Sequence, residues 1–149
     1  MLGVSSGRMA GLLVSVLLEL GCERALVVHA SDGLDEVTLA GPTMVYELDA
    51  AGITRFELDP AELGLAPVPY SDLQGGSPAE NAAIIEAILA GCGGGRRDIA
   101  CLNAAMALVV GGRAASAAEG LAMAHRAVDN GAARERLHAL RQFTGRARR

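Results

Sequence analysis

The stretch "RALVVHASDGLDEVTLAGPT", residues 24–43, is the most informative part of the sequence, because it joins a continuous apolar run to a loop rich in carboxylates. The apolar run predicts a short buried strand from Arg24 to His29. Asp32-Gly33 is ordinary turn sequence, and Asp35 and Glu36 follow it. A loop that leaves the carboxyl end of a strand in an α/β sheet is a common place for a ligand to bind.

The segments around this stretch predict an α/β layer. Residues 7–20 have the apolar spacing of an amphipathic helix that ends at Gly21. Its predicted buried face consists of Leu12, Leu13, Val16, Leu17 and Leu20. Beyond the acidic loop, the sequence predicts short extended segments at 37–39 and 44–48, a half-exposed strand at 53–58, and a proline-rich surface connection at 60–69.

The second half of the chain is predicted to be helical. Ser77, Pro78 and Glu80 form a capping box with proline at the first helical position, so a helix should run to about Leu89 and stop at Gly91. Ser116 and Glu119 predict a second capping box, with a helix that closes near residues 130–131. A last helix is predicted to bury Leu137, Leu140 and Phe143.

Between these helices lies the glycine-rich run 91–95, followed by Arg96, Arg97 and Asp98. It lacks the Lys-Ser/Thr ending of a phosphate loop, so we favour an interhelical turn with Asp98 as a helix cap over an anion site. Residues 99–110 are apolar nearly all round, which predicts a helix buried on several sides. Asn103 is the polar exception there and needs a hydrogen-bond partner.

Composition limits the possible functions. The 149 residues, 51% hydrophobic and 20% charged, suit one packed, helix-rich domain. Aromatic residues make up 3% and the net charge is -4, so a nucleic-acid partner is not expected. All 13 basic residues are arginine, which excludes Schiff-base chemistry and a P-loop lysine.

The remaining titratable side chains suggest no further site. Cys22, Cys92 and Cys101 lack the spacing of a zinc site and are interpreted as reduced residues of a cytoplasmic protein. His125 and His138 are interpreted as surface or packing residues. The apolar segment near the N-terminus is interrupted by Glu19 and is interpreted as a helix rather than a targeting signal or membrane span.

Asp35 and Glu36 are the candidate metal ligands. Carboxylate oxygens bind Mg²⁺ together with substrate phosphates and water. Neighbouring residues in an extended segment point in opposite directions, so the pair would hold two ions, or one ion from two sides. From composition alone, solvated loop carboxylates are the commoner interpretation.

Four groups of motifs together resemble the C-terminal portion of anthranilate phosphoribosyltransferases. They occur in the order and spacing of that family: residues 29–36 (HASDGLDE), residues 39–43 (LAGPT), Gly75-Gly76 with residues 80–82 (ENA), and residues 96–99 (RRDI) with 102–105 (LNAA). Each motif is weak alone, but the set is specific.

The resemblance implies an α/β domain, the C-terminal part of a sheet-and-helices domain of the phosphoribosyltransferase and nucleoside phosphorylase type, helix-rich toward its C-terminus. It implies that anthranilate attacks phosphoribosyl pyrophosphate (PRPP) with release of pyrophosphate, in tryptophan biosynthesis. In the family, the carboxylates of the "GLDE" motif bind Mg²⁺, and the matching residues are Asp35 and Glu36. The resemblance identifies no catalytic residue here.

The resemblance also has limits. The family's N-terminal helical domain, glycine-rich phosphate loop, Lys-His-Gly-Asn segment and anthranilate-contacting arginine do not occur in the sequence. We therefore expect a partial domain over residues 1–149, with strands and the acidic loop in 1–74 and helices in 75–149. We expect it to be inactive alone and to pair with a separate N-terminal half or with a second copy. The alternatives are a non-catalytic interaction module and part of a related pyrimidine nucleoside phosphorylase.

Overall fold

The computed structural model describes residues 1–146, which form one four-stranded sheet and six α-helices. The strands are β1 (Leu2–Gly3), β2 (Ala25–Ala30), β3 (Thr43–Asp49) and β4 (Gly52–Leu58). The helices are α1 (Gly7–Glu19), α2 (Tyr70–Leu73), α3 (Pro78–Leu89), α4 (Gly95–Val110), α5 (Ala117–Asp129) and α6 (Ala132–Arg146), and a 3₁₀ turn covers Pro60–Leu63. The predicted α/β class is confirmed, as is the helix-rich C-terminal half.

The strands lie in the sheet in the order β1-β2-β3-β4. The β1 strand pairs with β2 in parallel, and α1 connects the two. The other two pairings are antiparallel, with Val28 opposite Val45 and Val45 opposite Phe56. The β2 strand therefore lies between β1 and β3, and the acidic loop follows an interior strand of the sheet.

Both faces of β2 are covered, which explains its continuous apolar sequence. Ala25 and Val27 point toward α1 and pack with Ala10 and Val14. The alternate residues point to the opposite face, where they form a second cluster with α4: Leu26, Val28, Val37, Leu39, Val45, Leu102 and Met106. The sheet is thus sandwiched between α1 and α4.

The helices α4 and α5 approach each other closely through a small residue. A side chain at Gly120 would place its Cβ 2.7 Å from the Ala105 carbonyl oxygen, so only glycine fits this crossing. The interface also buries Cys101, Leu121 and Ala124. This contact attaches the C-terminal helices to the sheet through α4.

The predicted elements mostly have the expected positions, but the buried face of α1 was predicted only in part, since Leu13 and Leu17 do pack against the core. Ala10 and Val14 are its buried residues, whereas Leu12, Val16 and Leu20 are exposed by 55%, 49% and 76%. The helix is apolar on most of its circumference, so spacing alone did not single out the face against the sheet.

Two other local predictions need correction. Residues 37–39 are buried but form no strand, because the N–H groups of Val37 and Thr38 donate to the side chains of Asn103 and Thr43 instead of to a neighbouring strand. Pro60, in the predicted surface connection, is buried within its 3₁₀ turn.

The helix ends also differ in detail from the prediction. The Ser77–Glu80 capping box is confirmed. Asp98 does not cap α4, since the N-cap is Gly94 and Asp98 lies inside the first turn. Ser116 caps α5, but Glu119 accepts a hydrogen bond from Ala115 N–H rather than completing a box.

The last helix is less buried than predicted. Leu140 and Phe143 of α6 are exposed, by 57% and 74%, and Leu137 is half-buried. None of the helices within residues 1–146 is both long and apolar enough to cross a bilayer. The three cysteines are free, and Cys101 is buried while Cys92 is exposed.

Candidate functional site

The acidic loop, residues 31–42, begins with a turn that Asp32 holds together. Its Oδ1 accepts a hydrogen bond from Leu34 N–H at 3.2 Å, and its Oδ2 accepts one from the Thr38 hydroxyl at 2.7 Å. Gly33 adopts φ +92°, which glycine tolerates best. Both Asp32 oxygens are thus occupied within the loop, as its turn sequence suggests.

The far side of the loop is anchored in the core. Val37, Thr38 and Leu39 are completely buried. Thr38 N–H donates to the Thr43 hydroxyl oxygen at 3.2 Å, and Ala40 N–H donates to the Thr38 hydroxyl oxygen at 3.0 Å. The loop is therefore a defined structure without strand pairing.

Between these two anchors, Asp35 and Glu36 expose their side chains. Partial burial raises the pKa of Glu36 above its ordinary value, and the neighbouring Asp35 carboxylate raises it further. The two sequence-predicted metal ligands are thus adjacent, solvent-accessible and mutually repelling.

Two residues fix the backbone of this acidic pair. Asn103 of α4 accepts a hydrogen bond from Val37 N–H at 2.9 Å and donates one to the Val37 carbonyl at 2.8 Å. On β1, any side chain at Gly3 would overlap the Asp35 carbonyl group. The predicted hydrogen bond of Asn103 is confirmed, but the sequence did not reveal its partner or the role of Gly3.

A cleft of about 330 Å³ opens beside Glu36. Side chains of the acidic loop, α2 and α4 line it: Leu34, Glu36, Tyr70, Leu73, Ile99, Ala100 and Asn103. Apart from Glu36, Tyr70 and Asn103, the lining is apolar. The cleft therefore offers a carboxylate at the edge of a largely apolar surface.

The acidic pair fits Mg²⁺ as a partial ligand set. Within residues 1–146, no cluster of three or more His, Cys, Asp or Glu side chains could enclose a metal ion. Mg²⁺ commonly binds through only one or two carboxylates and takes its other ligands from substrate phosphates and water. Two exposed carboxylates whose charges repel each other match that donor set.

The glycine-rich run holds its arginines in structural contacts. Arg96 donates to the Asp72 and Gln74 carbonyls at 3.1 and 2.9 Å. Arg97 forms a 2.6 Å ion pair with Asp129. These contacts tie the turn to neighbouring segments and favour the interhelical turn over an anion site.

The Gly75-Gly76 segment is held by an asparagine as well. Asn81 accepts from Gly76 N–H at 2.8 Å and donates to the Gly76 carbonyl at 3.1 Å. Glu80 closes the capping box, and its hydrogen bonds from Ser77 lower its pKa. The Glu-Asn pair thus shapes the diglycine turn, a role that the sequence analysis missed.

Two of the three histidines, His125 and His138, lie away from the acidic loop. The Nε2 atom of His125, on α5, is buried without a hydrogen-bond partner in the described part of the chain. The Nε2 atom of His138 lies 2.8 Å from the Gln142 side-chain nitrogen on α6. Neither joins the acidic loop, which agrees with their interpretation as packing or surface residues.

Comparison with known proteins identifies relatives over nearly the whole chain. Residues 1–134 match the family described as "Glycosyl transferase family, a/b domain". The anthranilate phosphoribosyltransferase of Methylobacterium radiotolerans is 51% identical over 135 residues, covering 91% of this chain and 39% of that protein. That of Pelotomaculum thermopropionicum is 49% identical over 144 residues, covering 97% and 42%.

Solved structures give the same result. The anthranilate phosphoribosyltransferase of Thermus thermophilus superposes with a TM-score of 0.78 at 35% identity, covering 87% of this chain and 38% of that one. The Saccharomyces cerevisiae enzyme, in complex with PRPP and Mg, superposes with a TM-score of 0.77 at 27% identity and the same coverage.

The chain spans about two fifths of the length of these relatives and matches their C-terminal part. The resemblance found in the sequence motifs is thereby confirmed. Because the family match covers residues 1–134, the chain belongs to the glycosyl transferase family of α/β domains.

Proposed function

We propose that the chain supplies the metal-binding, C-terminal part of an anthranilate phosphoribosyltransferase. The observation that supports this most strongly is the Asp35–Glu36 pair, whose backbone is fixed beside the cleft. The sequence around it is 51% and 49% identical to two enzymes of that name over the aligned residues. The reaction transfers phosphoribosyl from PRPP to anthranilate and releases pyrophosphate, in the tryptophan pathway. We also propose a cytoplasmic location for the protein, because its three cysteines form no disulfide with one another.

The chemistry requires stabilisation of charge on a leaving group. The anthranilate nitrogen forms a bond to C1 of the ribose while the bond from C1 to pyrophosphate breaks, and the amine then loses a proton. When bound, Mg²⁺ would supply positive charge that offsets the negative charge developing on the leaving group. Asp35 and Glu36 would hold that ion through their exposed oxygens, and the anchored backbone would keep these oxygens in place.

Turnover also needs groups that bind the two substrates. The sequence has no lysine, and it contains none of the phosphate-loop and anthranilate-binding segments implied by the resemblance. We propose that an N-terminal part like that of the relatives supplies them. The isolated 149 residues should then bind metal weakly and show no turnover.

A chimera tests this proposal directly. The matching C-terminal segment of the M. radiotolerans enzyme, 39% of its length, is replaced by this chain. We expect the purified chimera to consume anthranilate, followed by the loss of its fluorescence, only when PRPP and Mg²⁺ are both present. The N-terminal segment alone serves as the control. A folded chimera with no turnover would contradict the proposal.

Two other functions remain candidates. The exposed apolar residues of α1 favour a non-catalytic interaction module, which would leave the folded chimera inactive. A pyrimidine nucleoside phosphorylase would instead cleave a pyrimidine nucleoside in the presence of phosphate. Product analysis of the same chimera separates these activities.

A further inference from the structure

We propose that Asn103 is a positioning residue for the metal-binding loop, acting together with Gly3 to fix the backbone at and next to Asp35 and Glu36 from two separate elements. This inference rests on the proposed function, because it assigns a purpose to contacts around the proposed magnesium ligands. Asn103 lies on α4 and Gly3 on β1, so the two supports come from different layers of the fold.

On the α4 side, the carboxamide of Asn103 binds both polar backbone groups of Val37. It accepts from the N–H at 2.9 Å and donates to the carbonyl at 2.8 Å, and its nitrogen also donates to the Ile99 carbonyl at 3.0 Å. Val37 is completely buried and lies in no strand. Asn103 therefore replaces the sheet partner that its backbone lacks.

The hydrogen bonds to Val37 also restrict the acidic pair, because Val37 is the next residue in the chain. Glu36 directly precedes Val37 in the chain. The hydrogen bond from Val37 N–H to Asn103 and the burial of Val37 therefore also fix the peptide group that joins the two residues. Asn103 also lines the cleft beside Glu36. A shift of the Asn103 side chain would move the Glu36 carboxylate relative to Asp35.

On the β1 side, Gly3 limits where the Asp35 carbonyl can lie. The β1 backbone is itself fixed, because it pairs with β2 and because Val4 N–H donates to the Val28 carbonyl at 3.0 Å. With no Cβ at Gly3, the Asp35 carbonyl packs against this backbone. The peptide between Asp35 and Glu36 is thus held against β1 and the following residue, Val37, is held by Asn103, while both carboxylates remain exposed.

A positioning role for Asn103 differs from simple helix docking in one measurable respect. If Asn103 only attached α4 to the core, its loss would lower the free energy of unfolding without a selective effect on metal binding. If it positions the ligands, its loss lowers metal affinity specifically, since groups that support metal ligands commonly contribute about tenfold or more to affinity.

The test uses the ¹⁵N-labelled 149-residue chain with Mn²⁺ alone as a paramagnetic probe. Every protein compared, including the one with the wild-type loop, carries Leu12→Glu and Val16→Arg on the exposed face of α1, so that self-association does not broaden the signals. In the wild-type chain, we expect selective broadening of the amide signals of residues 34–37. In Asn103→Leu, we expect about tenfold weaker apparent Mn²⁺ affinity at these amides, together with faster hydrogen exchange of Val37 N–H. Gly3→Ala perturbs the loop from β1 and should weaken Mn²⁺ binding as well.

Ser116→Ala is the matched control, because it removes the α5 cap and destabilises the chain without touching the loop. Urea unfolding of each variant checks that the compared proteins are folded. Unchanged Mn²⁺ affinity in Asn103→Leu overturns this inference and leaves the proposed function standing. If Asn103→Leu does not fold, unchanged affinity in Gly3→Ala has the same meaning. An equal loss in Ser116→Ala overturns it too, since the effect would then follow stability.

No Mn²⁺ broadening at residues 34–37 of the wild-type chain would overturn both the proposed metal site and this inference. Broadening in the wild type that disappears in Asp35→Asn with Glu36→Gln, and weakens in Asn103→Leu, supports both. The two failures are therefore distinguishable.

Discussion

Single asparagines hold the backbone at two of the sequence motifs shared with the family. Asn81 binds both polar groups of Gly76, and Asn103 binds both polar groups of Val37. The sequence predicted that Asn103 needed a partner, because an amide on an apolar helix must be satisfied. It could not show which partner, since Val37 lies 66 positions away along the chain.

Glu36 should make the unliganded chain less stable as the pH rises. Its pKa in the folded state is raised above the ordinary 4.5, so its contribution to stability is complete below about pH 4 and is lost as the pH rises through the raised value. Glu36→Gln removes this loss. We therefore expect the free energy of unfolding of Glu36→Gln, relative to wild type, to increase between about pH 4 and pH 7.

Urea unfolding monitored by circular dichroism at several pH values measures this difference. Glu23→Gln is the control, because Glu23 is an exposed carboxylate outside the loop. A difference between Glu36→Gln and wild type that does not change with pH would contradict the expectation.

At the scale of secondary structure, the sequence predicted the N-cap of α3 correctly and the N-cap of α4 incorrectly. Ser77 fulfils its predicted role, but Asp98 lies one turn too far into α4. Glycines 91 and 94 adopt φ +95° and +102°, so the chain reaches α4 through glycine conformations. The sequence could not reveal this, because aspartate is favourable both as the N-cap and within the first turn of a helix.

This difference predicts unequal effects of two substitutions. Ser77→Ala should lower the free energy of unfolding by about 1 kcal/mol, because it removes the acceptor for the Glu80 N–H and half of the capping box. Asp98→Asn should change it by less than about 0.5 kcal/mol. Chemical denaturation of both variants checks the order, and a larger loss in Asp98→Asn would contradict the assigned N-cap.

At the scale of the whole molecule, three of the four strands and the α/β class were predictable, whereas the edge strand β1 and the outer surfaces were not. The pattern of β2 indicates burial, and the structure covers it with α1 and α4. Periodicity does not reveal which apolar helix faces are left uncovered when a chain spans two fifths of its relatives' length. Leu12 and Val16 on α1 and Phe143 on α6 show this, because all three are exposed.

The exposed face of α1 should make the isolated chain self-associate. Replacing Leu12 with Glu and Val16 with Arg introduces charges four residues apart, in the orientation that supports a helix. We expect sedimentation velocity to show oligomers or aggregates for the wild type and a predominant monomer for this double variant.

Val14→Ala is the contrasting control, since Val14 is 1% exposed. It should lower stability by about 2 kcal/mol without reducing association. A wild-type chain that sediments as a monomer would contradict the prediction.

The central claim is that Asp35 and Glu36 hold the magnesium ion of a phosphoribosyltransferase. The most direct measurement is the Mg²⁺ dependence of anthranilate consumption by the chimera, with and without Asp35→Asn and Glu36→Gln. Glu23→Gln with Glu62→Gln is the control of equal charge, since both residues are exposed. We predict that the loop variant loses at least about 100-fold in kcat/KM at low Mg²⁺ while the control retains activity. Equal Mg²⁺ dependence in the loop variant and the unmodified chimera would contradict the claim.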